Sequence, residues 1–133
     1  MPSDKFDSLG PLYAAIGEEI WINRNPGADR ILLYVEAGDE WHSISQYQEL
    51  DEIVNYINEE SHALSDAVYV ARQSEEPSLR WTTMEYEISD GSFKAKLGHD
   101  PNINVDGRMD RREKVLKRYF GDKPIHYDLS MFD

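Results

Sequence analysis

The sequence predicts an α+β domain in which helices pack on an antiparallel sheet built from two hairpins. Three observations lead to this fold class. The spacing of apolar residues changes along the chain between the period of helices and the alternation of strands. The dipeptide Asp90-Gly91 lies between two alternating segments and favours a tight hairpin turn. The length of 133 residues fits one domain, residues 1–133, with the element order α-ββ-α-ββ-α.

The N-terminal segment carries the apolar stripe of an amphipathic helix. The stripe consists of Phe6, Leu9, Tyr13, Ile16 and Ile20. Pro11 lies inside it, and because proline has no N–H to donate, we expect the helix to start near Pro11. Residues 31–37 then alternate as a strand with apolar side chains on much of both faces. A turn at Gly38-Asp39-Glu40 leads to the predicted partner strand, residues 41–47.

A helical period follows from Gln48. One face of this predicted helix collects Leu50, Ile53, Val54, Ile57, Leu64, Ala67, Val68 and Ala71. The stripe is interrupted only near Glu60 and Ser61, so that one long helix and two helices joined by a kink both fit. Glu76-Pro77-Ser78 ends the helical region.

The second hairpin is predicted together with its register. A two-residue turn at Asp90-Gly91 places apolar residues opposite one another on one face and acids opposite lysines on the other. The predicted pairs are Ile88 with Phe93, Tyr86 with Ala95, Met84 with Leu97, Glu87 with Lys94, and Glu85 with Lys96. The pattern therefore predicts an apolar ladder on one side and two ion pairs on the other.

The last helix is predicted to begin at a cap on Asp106 and to end at Phe120. Gly121 follows at the position where a left-handed C-terminal cap favours glycine, and Pro124 prevents continuation. The tail from Ile125 onwards is so apolar that we expect part of it to fold back on the domain.

The charge of the chain is strongly and unevenly negative. It has 26 acidic residues against 14 lysines and arginines, a net charge of −12, which disfavours binding to nucleic acid or to anionic membranes. Nine acids and no lysine or arginine lie between Arg30 and Arg72. Two interpretations fit: a solvated acidic face, or a docking surface for a basic partner. The cations of the last helix are expected to pair with acids rather than to bind nucleic acid.

Few residues point to chemistry. The chain has no cysteine, its four histidines lack the spacing of a helical metal pair, and no glycine-rich phosphate loop occurs. We therefore predict no catalytic residue, no metal site and no cofactor. Two kinds of function stay compatible with this composition: a non-enzymatic acidic adaptor, and a small hydrolase that uses acidic pairs such as Asp51-Glu52 or Glu75-Glu76 with a divalent metal. The N-terminus lacks the features of a signal peptide, so a cytoplasmic location is expected.

Five motifs follow one another in the second half of the chain. They are a strand opened by Trp81, the hairpin from Ile88 to Lys94, the dipeptide His99-Asp100, the pair Arg111-Arg112, and the run from Leu116 to Gly121. In this order they resemble the YezG-like bacterial immunity (antitoxin) family, and the similarity in element order extends over most of the chain. The resemblance implies a small cytoplasmic protein that neutralises a polymorphic or contact-dependent growth inhibition toxin without catalysis.

The acidic interval and the resemblance together predict a toxin-binding surface. Nuclease toxins have basic clefts because they bind polyphosphate, and an acidic inhibitor would be steered into such a cleft. The predicted toxin-binding residues are Glu36, Asp39, Glu40, Trp41, Glu49, Asp51, Glu52, Tyr56 and Glu59. Tyr34 and Tyr47 are further candidates for aromatic anchors. The acids after Gln48 are expected on the polar side of the predicted helix.

Overall fold

The computed structural model describes residues 2–22, 24–38, 41–57 and 62–127. The α-helices within these ranges are α1 (Pro2–Ile22), α2 (His62–Gln73) and α3 (Arg108–Phe120). The six strands are β1 (Arg30–Ala37), β2 (His42–Leu50), β3 (Ile53–Ile57), β4 (Thr83–Ser89), β5 (Ser92–Gly98) and β6 (Ile125–His126). No helix in these ranges is both long and apolar enough to cross a membrane.

The six strands form one mixed sheet in the order β5-β4-β1-β2-β3-β6. All neighbours are antiparallel except β3 and β6, which are parallel. The predicted α+β class is confirmed. The predicted order α-ββ-α-ββ-α is wrong in detail, because a third strand follows the first hairpin and a sixth strand follows α3.

The central strand β1 explains why the fold has three layers. Seven of its eight residues are buried, and alternate side chains enter two separate cores. Ile31, Leu33 and Val35 lie in the larger core, which also contains residues of α1 and α2. Leu32 and Tyr34 lie in the smaller core with Val115, Leu116 and Phe120 of α3. A strand that is apolar on both faces is therefore covered by helices on both faces.

The prediction of a helix from Gln48 is wrong for its first half. Residues 53–57 form β3, which pairs with β2 in the register Leu50 opposite Ile53. Asp51 adopts a positive φ of 51°, which allows the two strands to be joined by a two-residue turn. The β-branched residues Ile53, Val54 and Ile57 favour a strand, and their spacing also satisfied a helical stripe. The second half of the prediction corresponds to α2.

The predicted start of the first helix is also wrong. α1 begins at Pro2 and continues through Pro11. A proline within a helix removes one backbone hydrogen bond. The buried face of α1 beyond Pro11 consists of Tyr13, Ile16 and Ile20, as its periodicity predicts.

The second hairpin has the predicted register at every pair. Asp90 and Gly91 have φ values of 54° and 78°, as a type I′ turn requires. The two predicted ion pairs are wrong in their partners. Glu85 instead binds Arg118, and Glu87 binds Arg30. Arginines on other elements thus occupy the carboxylates that lie opposite Lys94 and Lys96.

The C-terminal part of the described chain closes the smaller core. Gly121 has a φ of 61°, and its N–H donates to the Lys117 carbonyl at 2.8 Å, so the predicted glycine cap is present, although its ψ of −128° lies outside the left-handed helical region. Ile125 pairs beside Val54, and Tyr127 contacts Tyr56, so that the tail folds back as far as it is described. Residues 128–133 lie outside the described ranges.

Replacement of Gly91 by valine should destabilise the protein by more than about 1 kcal/mol, because a β-branched residue resists positive φ. Beyond the two neighbouring residues, no atom lies within 4 Å of a Cβ added at this position, so the loss reports mainly backbone strain. Gly91→Asn is the matched control, since asparagine tolerates the left-handed region. Urea denaturation of both variants checks the prediction, and equal stability of the valine and asparagine variants would contradict it.

Stability should fall as the pH rises above about 10. Burial raises the pKa of Tyr13, Tyr34, Tyr47 and Tyr86 above the ordinary value of 10.0. Their contribution to stability is fully present below pH 10 and is lost at higher pH, because the unfolded chain then releases protons that the folded protein retains. Each such tyrosine contributes a slope of about 1.4 kcal/mol per pH unit. Tyr47→Phe should flatten the measured slope, and an unchanged slope would be inconsistent with this assignment.

Candidate functional site

A buried carboxylate connects the central strand to α3. Glu36 is 1% exposed and accepts two hydrogen bonds from Arg111, from Nε at 2.7 Å and from Nη2 at 2.8 Å. The Tyr34 hydroxyl donates to the same carboxylate at 2.5 Å. These bonds compensate the cost of burying the charge, and the hydrogen bonds to Glu36 raise the pKa of Arg111.

Three further cations bind carboxylates of the same face of the sheet. Arg118 makes a bidentate pair with Glu85, at 2.9 and 3.1 Å. Arg30 contacts the carboxylates of Glu49 and Glu87 and donates to the Tyr119 carbonyl. Lys123 donates to the Glu49 carboxylate at 3.0 Å and to the Asp51 carbonyl. The face that carries α3 is therefore held by an array of internal ion pairs.

Two of the cations of α3 belong to these ion pairs. Arg111 and Arg118 point at carboxylates of the sheet, which confirms the prediction that cations of this helix pair with acids. Lys114 and Lys117 remain exposed.

Several of the predicted binding residues are buried or take part in these internal ion pairs. Glu36 was expected in the toxin-binding surface, and this is wrong, because its carboxylate is buried and fully engaged by Arg111 and Tyr34. Glu49 is half-buried and bound to Arg30 and Lys123. The candidate anchors Tyr34 and Tyr47 are 4% and 0% exposed and belong to the core.

Five of the exposed acids in the described residues lie at one end of the sheet. Asp51 and Glu52 lie in the turn between β2 and β3, and not on the side of a helix as predicted. The register places Arg30, at the start of β1, opposite Glu49 of β2 and Ser89 of β4. The neighbours of these three residues therefore share one end. We call the exposed residues Asp29, Asp51, Glu52, Asp90 and Asp122 the acidic end.

Contacts within the acidic end support this grouping. The Asp51 N–H lies 3.4 Å from Oδ2 of Asp29. Asp122 precedes Lys123, whose ammonium group bonds the Asp51 carbonyl at 2.8 Å. Sequence reasoning missed Asp29, Asp90 and Asp122 because only the strand order brings them to this end. The signal that could have found them is their position beside strand termini.

Trp41 lies at the opposite end of the sheet. Its indole packs over Gly38, where an added Cβ would lie 2.3 Å from Nε1, so that only glycine fits. Trp41 is half-buried and lines a cavity of about 400 Å³ between the first hairpin and α2. Asp66 and the exposed Tyr69 line the same cavity. Asp39, Glu40 and Glu59, the other predicted acids, lie outside the described residues.

Tyr56 of β3, a predicted anchor, belongs to an aromatic row with Tyr47 of β2 and Tyr127 after β6, and not to the acidic end. Its ring centroid lies 5.4 Å from that of Tyr47 and 5.2 Å from that of Tyr127. The side chain is half-buried, so that part of its surface remains open to a partner.

The residues considered for catalysis have structural contacts. Glu75 is 3% exposed and accepts a hydrogen bond from the Tyr13 hydroxyl at 2.8 Å, and Trp81 donates to that hydroxyl. The His99 ring lies 2.9 Å from the Leu79 carbonyl. Within the described ranges, no three histidine or acidic side chains group closely enough to hold a metal ion.

No protein-family model matches this chain, and no curated protein matches it. Membership of the immunity family is thus a hypothesis that depends on the motifs quoted above.

Arg111→Met should destabilise the protein by about 3 kcal/mol, because it leaves the buried carboxylate of Glu36 without its cation. The double variant Glu36→Gln/Arg111→Met should recover most of this loss, since the neutral amide still accepts from Tyr34. The free energy of unfolding from urea titrations measures both. A double variant as unstable as the single one would mean that Arg111 acts through packing and not through charge.

Proposed function

We propose that this protein is a non-enzymatic immunity protein, which acts in the cytoplasm by binding a basic toxin domain of the nuclease class. The observation that carries the proposal is the separation of charge in the fold. The five carboxylates of the acidic end are exposed, whereas Arg30 and Lys123, which lie next to them, bind Glu49. Cations that could neutralise the acidic end are thereby held by another carboxylate.

A nuclease is the partner whose chemistry fits this end best. Its active-site cleft must bind successive phosphates and is therefore lined by lysines and arginines. Exposed carboxylates on neighbouring turns present negative charges at several points of one surface, as a polyphosphate does. Opposite potentials of this kind accelerate association by about 10-fold to 1,000-fold at low salt.

Affinity requires contacts besides charge, because exposed charges act mainly on the rate of encounter. Trp41 and the cavity beside it offer an aromatic anchor and a space for a partner side chain. β2 connects this cavity to the acidic end and has nine residues, a length of about 30 Å. An interface of ordinary size, about 800 Å² on each partner, can include both the acidic end and the cavity beside Trp41.

The double reversal Glu52→Lys/Asp122→Lys should slow association with the toxin domain encoded by the adjacent gene by about tenfold at low salt. Both residues are exposed, and neither has the positive φ that makes substitution of Asp51 or Asp90 costly. Association should also lose much of its salt dependence. Stopped-flow kinetics over a range of salt concentrations and protection of toxin-expressing cells are the measurements.

Glu76→Lys/Asp106→Lys is the matched control, with the same change in charge on exposed acids outside the acidic end. This variant should bind within about twofold of the wild-type rate, because it leaves the charges of the acidic end unchanged. Equal association rates for both variants would mean that the acidic end is only a solvated surface. An adjacent gene product that does not bind the wild-type protein would overturn the proposed function itself.

A further inference from the structure

The edge strand β5 combines three features that a binding site for an extended peptide requires. It is the terminal strand of the sheet and pairs only with β4 in the described structure. The seven residue pairs are consecutive, without a bulge, and β5 contains no proline. Because backbone groups alternate in direction along an antiparallel strand, every second residue of β5 turns its N–H and C=O away from β4.

The first flanking surface is apolar. A groove of about 280 Å³ runs between α1 and the second hairpin and is lined by Ala14, Trp21, Ile88 and Phe93, among others. The Phe93 ring stacks on Tyr86 with centroids 5.0 Å apart. Trp21 and Phe93 are nevertheless 45% and 40% exposed, and Ile22 at the end of α1 is 73% exposed. Large apolar side chains thus remain uncovered along this edge.

The second flanking surface is positive. Lys94 and Lys96 project from the opposite face of β5 and are exposed. The carboxylates opposite them, Glu87 and Glu85, are bound by Arg30 and Arg118. In the described part of the chain neither lysine forms an ion pair, so their charges are available to a partner.

We propose that β5 binds an extended segment of another protein in which acidic and apolar residues alternate. The segment adds a seventh strand through the outward backbone groups of β5. Its apolar side chains then lie over the groove at Trp21 and Phe93, and its acidic side chains lie over Lys94 and Lys96. This surface is distinct from the acidic end, and the inference does not depend on the proposed toxin partner.

The same lysines disfavour a second copy of this chain as the occupant. Antiparallel pairing of two β5 strands about Ala95 places Lys94 of one copy opposite Lys96 of the other. Like charges directly opposite each other destabilise a strand pair. A net charge of −12 on each chain adds a further repulsion. The two lysines therefore select against self-pairing and for an acidic strand.

The probe for this site is a ten-residue peptide of alternating glutamate and valine, titrated into the full chain. Binding measured by calorimetry should be accompanied by slower hydrogen exchange of outward amides on β5. A peptide of the same composition with the glutamates in one block should bind at least tenfold more weakly. An N-methylated analogue, which cannot complete the ladder, should also bind at least tenfold more weakly.

Lys94→Glu/Lys96→Glu should weaken binding of the alternating peptide at least tenfold. Lys94→Gln/Lys96→Gln should also weaken binding of this peptide. This variant removes the positive charges without placing acids opposite Glu85 and Glu87. The control is Arg112→Glu/Lys117→Glu, which changes the charge equally beside β6, at the other edge of the sheet. It should bind within twofold of wild type.

Three results would overturn the proposal. The first is an alternating peptide that does not bind the wild-type protein at millimolar concentration. The second is equal binding of the N-methylated analogue or of a peptide that alternates lysine with valine. The third is a dimer in sedimentation experiments whose β5 amides are protected without peptide, which would identify a second copy as the occupant.

Discussion

The ion pair between Glu36 and Arg111 is the contact on which the packing of α3 against the sheet depends. It joins the end of the central strand β1 to the start of α3, and the two residues are 75 positions apart in the chain. Apolar contacts of Val115, Leu116 and Phe120 supply the burial on this face. They are non-directional, whereas a bidentate pair has one geometry. The pair therefore determines where along the sheet the helix lies.

The other ion pairs of this face extend the same arrangement. Arg118 on Glu85 and Arg30 between Glu49 and Glu87 place guanidinium groups against three carboxylates of two strands, β2 and β4. The arginines are partly exposed, so that the stabilisation from each pair is modest. Their collective effect is on the distribution of charge. Arg30, Arg111 and Arg118 are neutralised by carboxylates of the sheet, whereas the acids of the acidic end remain exposed.

The sequence predicts correctly those elements whose conformation depends on residues close together in the chain. The turn at Asp90-Gly91 and the alternation on either side of it carry the register of the second hairpin. The cap at Gly121 has a similar local cause. Residues 50–57 could not be assigned in the same way, because a spacing of three and four apolar positions also fits β-branched residues on two short strands. The strand assignment there depends on pairing with β2.

For the candidate site, the sequence predicts that acidic residues are abundant but not which of them lie together on the surface. The sequence reveals an acidic interval, but burial divides its members, with Glu36 inside and Glu52 outside. The acidic end also takes Asp29, Asp90 and Asp122 from outside that interval. Their proximity follows from the order of the strands, which no local pattern encodes. Arg118 likewise replaces Lys96 as the partner of Glu85 because α3 crosses above that strand.

The long separation of Glu36 and Arg111 has a consequence for the growing chain. β1, β2 and β3 are contiguous and can pair as soon as they leave the ribosome, yet the Glu36 carboxylate of β1 then has no cation. A charge of this kind retains its water, so the face above it stays hydrated until α3 has been synthesised. The order of synthesis thus assembles the core of α1 and the sheet first and leaves the α3 side to close last. A fragment that ends before α3 would expose Leu32, Tyr34 and Tyr47 together. Exposed hydrophobic surface of this kind promotes aggregation and is bound by quality-control chaperones.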